Sequence, residues 1–133
     1  MNYRKVKGVY MFKEGQLVTA KEFNSYAVTD SGKPCGVVWC NQGRMKVMCL
    51  WGDNEEYTVD TAKFRPMSED DILKPGQQVI IDTFRMVKGR SHTEVMTFVA
   101  YGTYGAKVRT NNGKYITVSM HSVKGVIKGG LYI

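Results

Sequence analysis

The residues of this sequence best suited to chemistry are basic and aromatic, and they concentrate in its second half. Lysine and arginine neutralise phosphate groups, while tyrosine stacks on bases or packs on sugars. Residues 73–133 carry nine Lys or Arg against two acidic residues, a net charge of +7, whereas residues 1–66 carry +3. So basic a unit attracts polyanions, of which nucleic acid is the most abundant in a cytoplasm. The alternative is that the charge only keeps the protein soluble.

We predict one nucleic-acid-binding set within this basic half. Its cations lie in a loop and on a strand, and its tyrosines lie close to them in the sequence. The set is Arg85, Lys88, Arg90, Tyr101, Tyr104, Lys107, Arg109 and Tyr115. DNA is favoured over RNA as the partner. The competing interpretation is that the tyrosines cover the ends of the fold while the cations are simply hydrated.

The two tryptophans receive different predictions. Trp51 lies in the hairpin segment at residues 50–55 (LWGDNE). A tryptophan at a loop tip is costly to leave in water, so Trp51 is a candidate contact for another protein. Packing of Trp51 over its own unit, or in the joint between units, is an equal alternative. Trp39 lies in an apolar strand and is predicted to be a core residue.

Enzyme chemistry is poorly represented. The two histidines, His92 and His121, lie in no nucleophile, metal or phosphate-loop motif. The acidic pairs at 55–56 and 70–71 consist of adjacent residues, which diverge on a strand or a helix and so form no acid–base couple. We therefore predict a protein without catalytic activity, cofactor or metal.

Three cysteines fall within one short window of the first half. Cys35, Cys40 and Cys49 are an odd number, without Cys-x-x-Cys spacing and without a neighbouring histidine. Neither a disulfide framework nor a zinc site is indicated by this pattern. The pattern predicts buried or half-buried free thiols in a reducing compartment.

An internal repeat organises the chain. Residues 12–18 (FKEGQLV) recur as residues 73–79 (LKPGQQV), an offset of 61. Further along, residues 56–59 match residues 115–118 at an offset of 59. We expect a two-residue length difference in one hairpin to absorb the change. The predicted organisation is a first unit, an acidic joint and a strongly basic second unit, at residues 1–66, 67–72 and 73–133.

Both copies show the pattern of short β-strands. Their apolar or alternating stretches are rich in β-branched and aromatic residues and are bounded by glycine, asparagine and aspartate. No segment keeps a helical period. Long irregular segments are expected at residues 23–34 and 84–93. The predicted fold is all-β.

The hairpin near residue 112 can be phased from its sequence. A three-residue turn at residues 111–113 (NNG) pairs Val108 with Ile116 and Arg109 with Tyr115. This register separates an apolar inner face from a polar outer face. The inner set is Ala106, Val108, Ile116 and Val118, and the outer set is Lys107, Arg109, Tyr115 and Thr117.

The Lys-x-Gly-Gln-x-Val opening of each copy resembles the first strand of SH3-like barrels of the KOW and Tudor type. Five short strands in about sixty residues extend the resemblance over nearly the whole chain, as two tandem barrels. Gln16 and Gln77 stand where the fuller KOW pattern has an acidic residue. Small basic proteins with such barrels occur in transcription, translation and bacteriophage takeover of the host. The resemblance therefore implies binding rather than catalysis.

Two classes of function remain open. One is sequence-tolerant DNA binding through the second unit, modulating transcription of a host or viral genome. The other is a protein-interaction module that grips a peptide or a component of a polymerase or ribosome. The sequence shows no transmembrane stretch and no secretory signal, so we expect no membrane partner. The expected location is the cytoplasm, at the nucleoid or in the host if the protein is viral. The oligomeric state is left open.

Overall fold

The computed structural model describes residues 3–6, 9–87 and 90–127, with side chains at 11–83 and 92–127. Within these ranges the chain is all-β, as predicted. Three short 3-10 helices occur, at Thr61–Lys63, Glu69–Asp71 and Met120–Ser122. The strands are β1 (Tyr3–Val6), β2 (Val9–Phe12), β3 (Leu17–Ala20), β4 (Cys35–Asn41), β5 (Arg44–Cys49), β6 (Glu56–Asp60), β7 (Phe64–Pro66), β8 (Gln78–Val87), β9 (Arg90–Tyr101), β10 (Ala106–Arg109), β11 (Tyr115–Val118) and β12 (Val123–Val126).

The chain divides into two compact units, Met1–Ile72 and Leu73–Ile133. In the first, β1 and β2 form a two-stranded sheet, and the other strands form an antiparallel sheet in the order β6-β5-β4-β3-β7. The second unit has one antiparallel sheet in the order β11-β10-β9-β8-β12. The two five-stranded orders are the same. Within the described part of the chain, each five-stranded sheet has two edge strands and is not closed into a barrel.

The turn that opens each five-stranded sheet is built the same way in both units. At residues 13–16 and 74–77 the glutamine Oε1 accepts the backbone N–H of the lysine, at 3.0 and 2.8 Å. The glycines between them, Gly15 and Gly76, have φ of 80° and 92°. This left-handed conformation favours glycine because it has no Cβ. The glutamine that departs from the KOW pattern thus stabilises the turn through its side chain.

The two-residue difference between the repeats lies in one hairpin, as expected. In the first unit Cys49 N–H donates to Glu55 O, which leaves a five-residue loop at 50–54. In the second, Thr110 N–H donates to Lys114 O and leaves a three-residue loop.

The long segment after the first strand of each sheet differs between the units. Residues 21–34 are irregular, and the Asp30 carboxylate holds them by accepting the N–H groups of Asn24 and Ser31 at 2.6 and 2.8 Å. The prediction of an irregular segment at residues 84–93 was wrong. The described residues of this segment belong to β8 and β9, in which Val87 pairs with Arg90 and Met86 with Ser91. Backbone pairing between the strands therefore replaces side-chain anchoring.

Each unit buries its own apolar cluster. The first contains Phe12, Val18, Cys35, Val37, Met45, Val47, Cys49 and Phe64. The second contains Leu73, Val79, Ile81, Met96, Phe98, Ala106, Val108 and Met120.

The prediction that Trp39 belongs to the core was wrong. Its side chain is 37% exposed. A β-bulge between Val37 and Trp39 shifts the register, so that Val37 pairs with buried Val47 but Trp39 pairs with Lys46. A bulge adds one residue to a strand and reverses the faces of the residues beyond it. Trp39 therefore lies on the outer face.

Candidate nucleic-acid interface

The hairpin of β10 and β11 has the predicted register. Val108 pairs with Ile116 and Arg109 with Tyr115. Residues 111–113 form the turn, and Gly113 has φ of 85°. The expected inward position of Ile116 is only partly met, because its side chain is 38% exposed. β11 is the edge strand of its sheet, and no further strand among the described residues covers this residue.

The hairpin presents a basic and aromatic outer face. Lys107, Arg109, Tyr115 and Thr117 are all exposed, and Tyr115 is 60% exposed. Lys107 Nζ lies 5.2 Å from the centre of the Tyr115 ring, within the range of a cation–π interaction. Among the residues whose side chains are described, no carboxylate lies within ion-pair distance of Lys107 or Arg109. We call Lys107, Arg109 and Tyr115 the basic strip.

The sheet extends this face from β10 into β9 and β8. Arg109 pairs with Thr97 on β9, and Lys107 pairs with Ala100. A β-bulge separates these two pairs, at the position equivalent to the bulge beside Trp39 in the first unit. Thr97 in turn pairs with the exposed Gln78 on β8. Residues paired across antiparallel strands point to the same side of the sheet. The basic strip therefore adjoins three uncharged residues on the same face, Ala100, Thr97 and Gln78.

The equivalent face of the first unit has different chemistry. Lys46 occupies the place of Lys107, but its Nζ lies 3.6 Å from Glu56 Oε1 in an ion pair. Met48 occupies the place of Arg109, and Trp39 that of Ala100. One cation on this face is thus neutralised and the other is absent. The two repeats share backbone geometry while their outer faces differ in charge.

The remaining residues of the predicted set are distributed unevenly. Tyr104 is 54% exposed. Tyr101 is half-buried, because its hydroxyl accepts the Leu73 N–H at 2.7 Å and its ring meets Phe98 edge to face at 5.0 Å. This side chain stabilises the start of the second unit, and its contact with nucleic acid stays a prediction.

Arg85 and Arg90 lie on β8 and β9, although their side chains are outside the described residues, as is the whole of Lys88. Among the described residues, 82–87 and 90–93 pair with each other alone, whereas β12 pairs with residues 79–81 of β8 and β10 with residues 97–101 of β9. These segments form a two-stranded ribbon at the end of the sheet. Arg85 and Arg90 are residues of this ribbon.

Trp51 is not a free loop tip but half-buried against the first core. Lys33 Nζ lies 3.8 Å from the centre of its ring, and the Lys33 side chain is fully buried. The Trp51 indole Nε1 is also buried and has no hydrogen-bond acceptor among the described residues. This geometry favours packing over its own unit. A contact between Trp51 and another protein stays a prediction.

Burial lowers the pKa of Lys33 from its usual 10.5 to about 8. The nearby Asp30 carboxylate, Cys49 and Cys35 oppose this shift. A buried ammonium loses its hydration, which disfavours the charged form. The first unit therefore holds one unusually acidic lysine.

Stability of the first unit is expected to depend on this lysine at alkaline pH. Between pH 8 and 10.5 the unfolded chain binds more protons at Lys33 than the folded one, so the lysine's contribution to the free energy of unfolding rises with pH. The rise should reach up to about 3 kcal/mol. Urea unfolding followed by tryptophan fluorescence reports on this unit, because Trp39 and Trp51 are its two tryptophans. The free energy of unfolding of the wild type, minus that of Lys33→Met, should increase between pH 8 and 10.5. A difference that stays constant over this range would contradict the expectation.

Comparison with known proteins found no matching family model, no significantly similar curated protein and no similar solved structure. Within the described ranges, no helix has the length and apolar character that crossing a membrane requires. The same residues contain no cluster of three or more His, Cys, Asp or Glu that could hold a metal ion.

Proposed function

We propose that this protein binds nucleic acid without catalysing a reaction, chiefly through the outer face of the second unit. The observation that supports this proposal is the basic strip, in which Lys107 and Arg109 lie beside an exposed tyrosine and away from described carboxylates. Cations that are not paired internally can neutralise phosphates, and Tyr115 can pack on a sugar or a base. The equivalent face of the first unit, on β5, lacks this arrangement because Glu56 neutralises Lys46.

Duplex DNA is the proposed partner. The major groove of B-form DNA is wide enough for a two-stranded β-ribbon, whereas that of A-form RNA is deep and narrow. The segments 82–87 and 90–93 form such a ribbon, and the sequence places Arg85, Lys88 and Arg90 at its end. Sequence preference should be weak, because the described residues provide no reading helix and binding relies on phosphates.

We further propose that each unit is related to the SH3-like barrels of KOW and Tudor proteins. The five-stranded order that occurs twice and the matching Gly-Gln turns support a repeated small β-unit of this kind. By this relationship the protein would act in the cytoplasm on transcription of a host or viral genome.

A protein-interaction role for the first unit is the second candidate. Trp39 and Leu50 are 37% and 46% exposed, and Met48 lies on the same outer face as Trp39. Exposed large apolar side chains are typical of protein contacts, in which aromatic residues often dominate the binding energy. A component of a polymerase or ribosome would fit this role. The capture of such a component should be insensitive to salt, unlike binding to DNA.

Fluorescence anisotropy with labelled duplex DNA, single-stranded DNA and RNA tests the proposed function. If four to six phosphates are neutralised, the log of the affinity for duplex DNA should fall with log salt at a slope of about −4 to −5. Duplexes of unrelated sequence should bind alike. Affinity that is absent at low salt, or that ignores salt, would overturn the proposal in favour of a protein partner.

A further inference from the structure

The first unit contains two cysteines in direct cross-strand contact. Cys35 on β4 and Cys49 on β5 are paired in the ladder, and their side chains are 0% and 1% exposed. Cross-strand pairing places the two side chains on the same face of the sheet. Cys40, the third cysteine, pairs with Met45 and is half-buried.

The backbone around this pair suits a disulfide. Next to the cysteine pair, Leu50 N–H donates to Pro34 O. Cys49 N–H donates to Glu55 O, on the side of Cys49 away from β4. In an antiparallel ladder this pattern makes Cys35 and Cys49 a non-hydrogen-bonded pair, whose Cα atoms lie about 4.5 Å apart. That separation falls within the range that disulfides span. A bond between the sulfurs therefore requires little movement of the strands.

A buried cation lies next to the pair. Lys33 is fully buried, and its charge acts on both Cys35 and Cys49. Cations beside a thiol stabilise the thiolate, which is the nucleophilic form. A lysine is almost never buried without such partners. The first unit thus combines two paired, buried thiols with a positive charge, which the buried Asp30 carboxylate also faces.

We propose that Cys35 and Cys49 are an oxidation site at which a small hydroperoxide forms a reversible intramolecular disulfide. The Cys49 thiolate attacks the terminal oxygen of the hydroperoxide, the O–O bond breaks, and the leaving oxygen takes up a proton as water or an alcohol. The Cys35 thiol then loses its proton, and its sulfur displaces the hydroxyl of the Cys49 sulfenic acid as water. Two thiols are oxidised and one peroxide is reduced.

The electrostatics assign different roles to the two sulfurs. Hydrogen bonding to Cys49 and burial raise the pKa of Cys35. The hydrogen bond from Cys35, aided by the charge of Lys33, lowers the pKa of Cys49 despite its burial. We accordingly propose Cys49 as the nucleophile and Cys35 as the resolving thiol. Hydrogen peroxide, the smallest hydroperoxide, is the oxidant best able to reach them, and a dithiol reductant restores the pair by exchange.

Alkylation counting tests this proposal on the whole protein. Wild-type protein is treated with hydrogen peroxide, then denatured in the presence of the thiol label N-ethylmaleimide. Its mass is measured by mass spectrometry. Reduced protein should take up three labels and oxidised protein one, with the remaining label on Cys40 and two hydrogens lost. Dithiothreitol should restore three labels. Retention of all three labels, or loss of the Cys40 label as fast as the others, would overturn the proposal.

Three variants separate the parts of the mechanism. Cys40→Ser, the matched control, should still form the disulfide at the wild-type rate. Cys35→Ser should form none and should instead accumulate oxidised Cys49. Lys33→Met should slow disulfide formation about tenfold, provided that its far-UV circular dichroism shows an intact fold. An unchanged rate in Lys33→Met would remove the lysine from the mechanism. Because the oxidation site lies in the first unit, its test does not depend on DNA binding by the second unit, which is measured in a separate experiment.

Discussion

Replacing both Lys107 and Arg109 by alanine is expected to weaken duplex DNA binding about 10- to 30-fold near physiological salt. The two cations lie on the exposed face of β10, and no described carboxylate pairs with them. Their loss should affect all sequences alike and should make the salt slope shallower by about 2, because each phosphate contact contributes nearly one unit. Anisotropy titrations at several salt concentrations measure both quantities.

The control for this variant is the double replacement of Lys46 and Met48 by alanine. These residues occupy the same positions on β5, but Lys46 is paired with Glu56. Affinity for DNA should change less than about twofold, since an exposed ion pair contributes little. Equal losses in the two variants would mean that both outer faces bind DNA. No loss in Lys107→Ala/Arg109→Ala would overturn the assignment of the interface.

Gly105→Ala is expected to unfold the second unit. A Cβ at this position would overlap the Val118 carbonyl oxygen and lie 3.0 Å from its carbon and 3.2 Å from Ser119 Cα. These are backbone atoms, so no side chain can move aside. The φ of 80° adds the cost of placing a side chain in the left-handed region. A destabilisation of more than about 3 kcal/mol follows, a large part of the stability of a small domain.

Gly76→Ala is the matched control for Gly105→Ala. Its φ is 92°, but a Cβ there would meet no atom within 4 Å. It should cost only about 1–2 kcal/mol, the price of the conformation alone. Urea unfolding followed by far-UV circular dichroism should show the loss of the second unit in Gly105→Ala. Tryptophan emission from the first unit should be unchanged. Similar stability of the two variants would contradict the predicted clash.

The sequence was sufficient for features that depend on local chemistry. The repeat placed matching glycine turns at Gly15 and Gly76, because only glycine readily adopts their backbone conformation. Alternation of apolar and charged residues determined the register of Val108 with Ile116, since a one-residue slip would bury Arg109. The all-β architecture and the basic strip followed from these two regularities.

Tertiary structure alone decided where side chains go once the alternation is interrupted. The bulge in β4 turned Trp39 outward, and the sequence gives no sign of an unpaired residue there. Burial of Lys33 over Trp51, and contact of Cys35 with Cys49, depend on residues that are distant in the chain and meet only through sheet pairing. Local patterns specify which face of a strand is apolar. Only the assembled sheet specifies which side chains meet there and whether a charge among them is shielded from water.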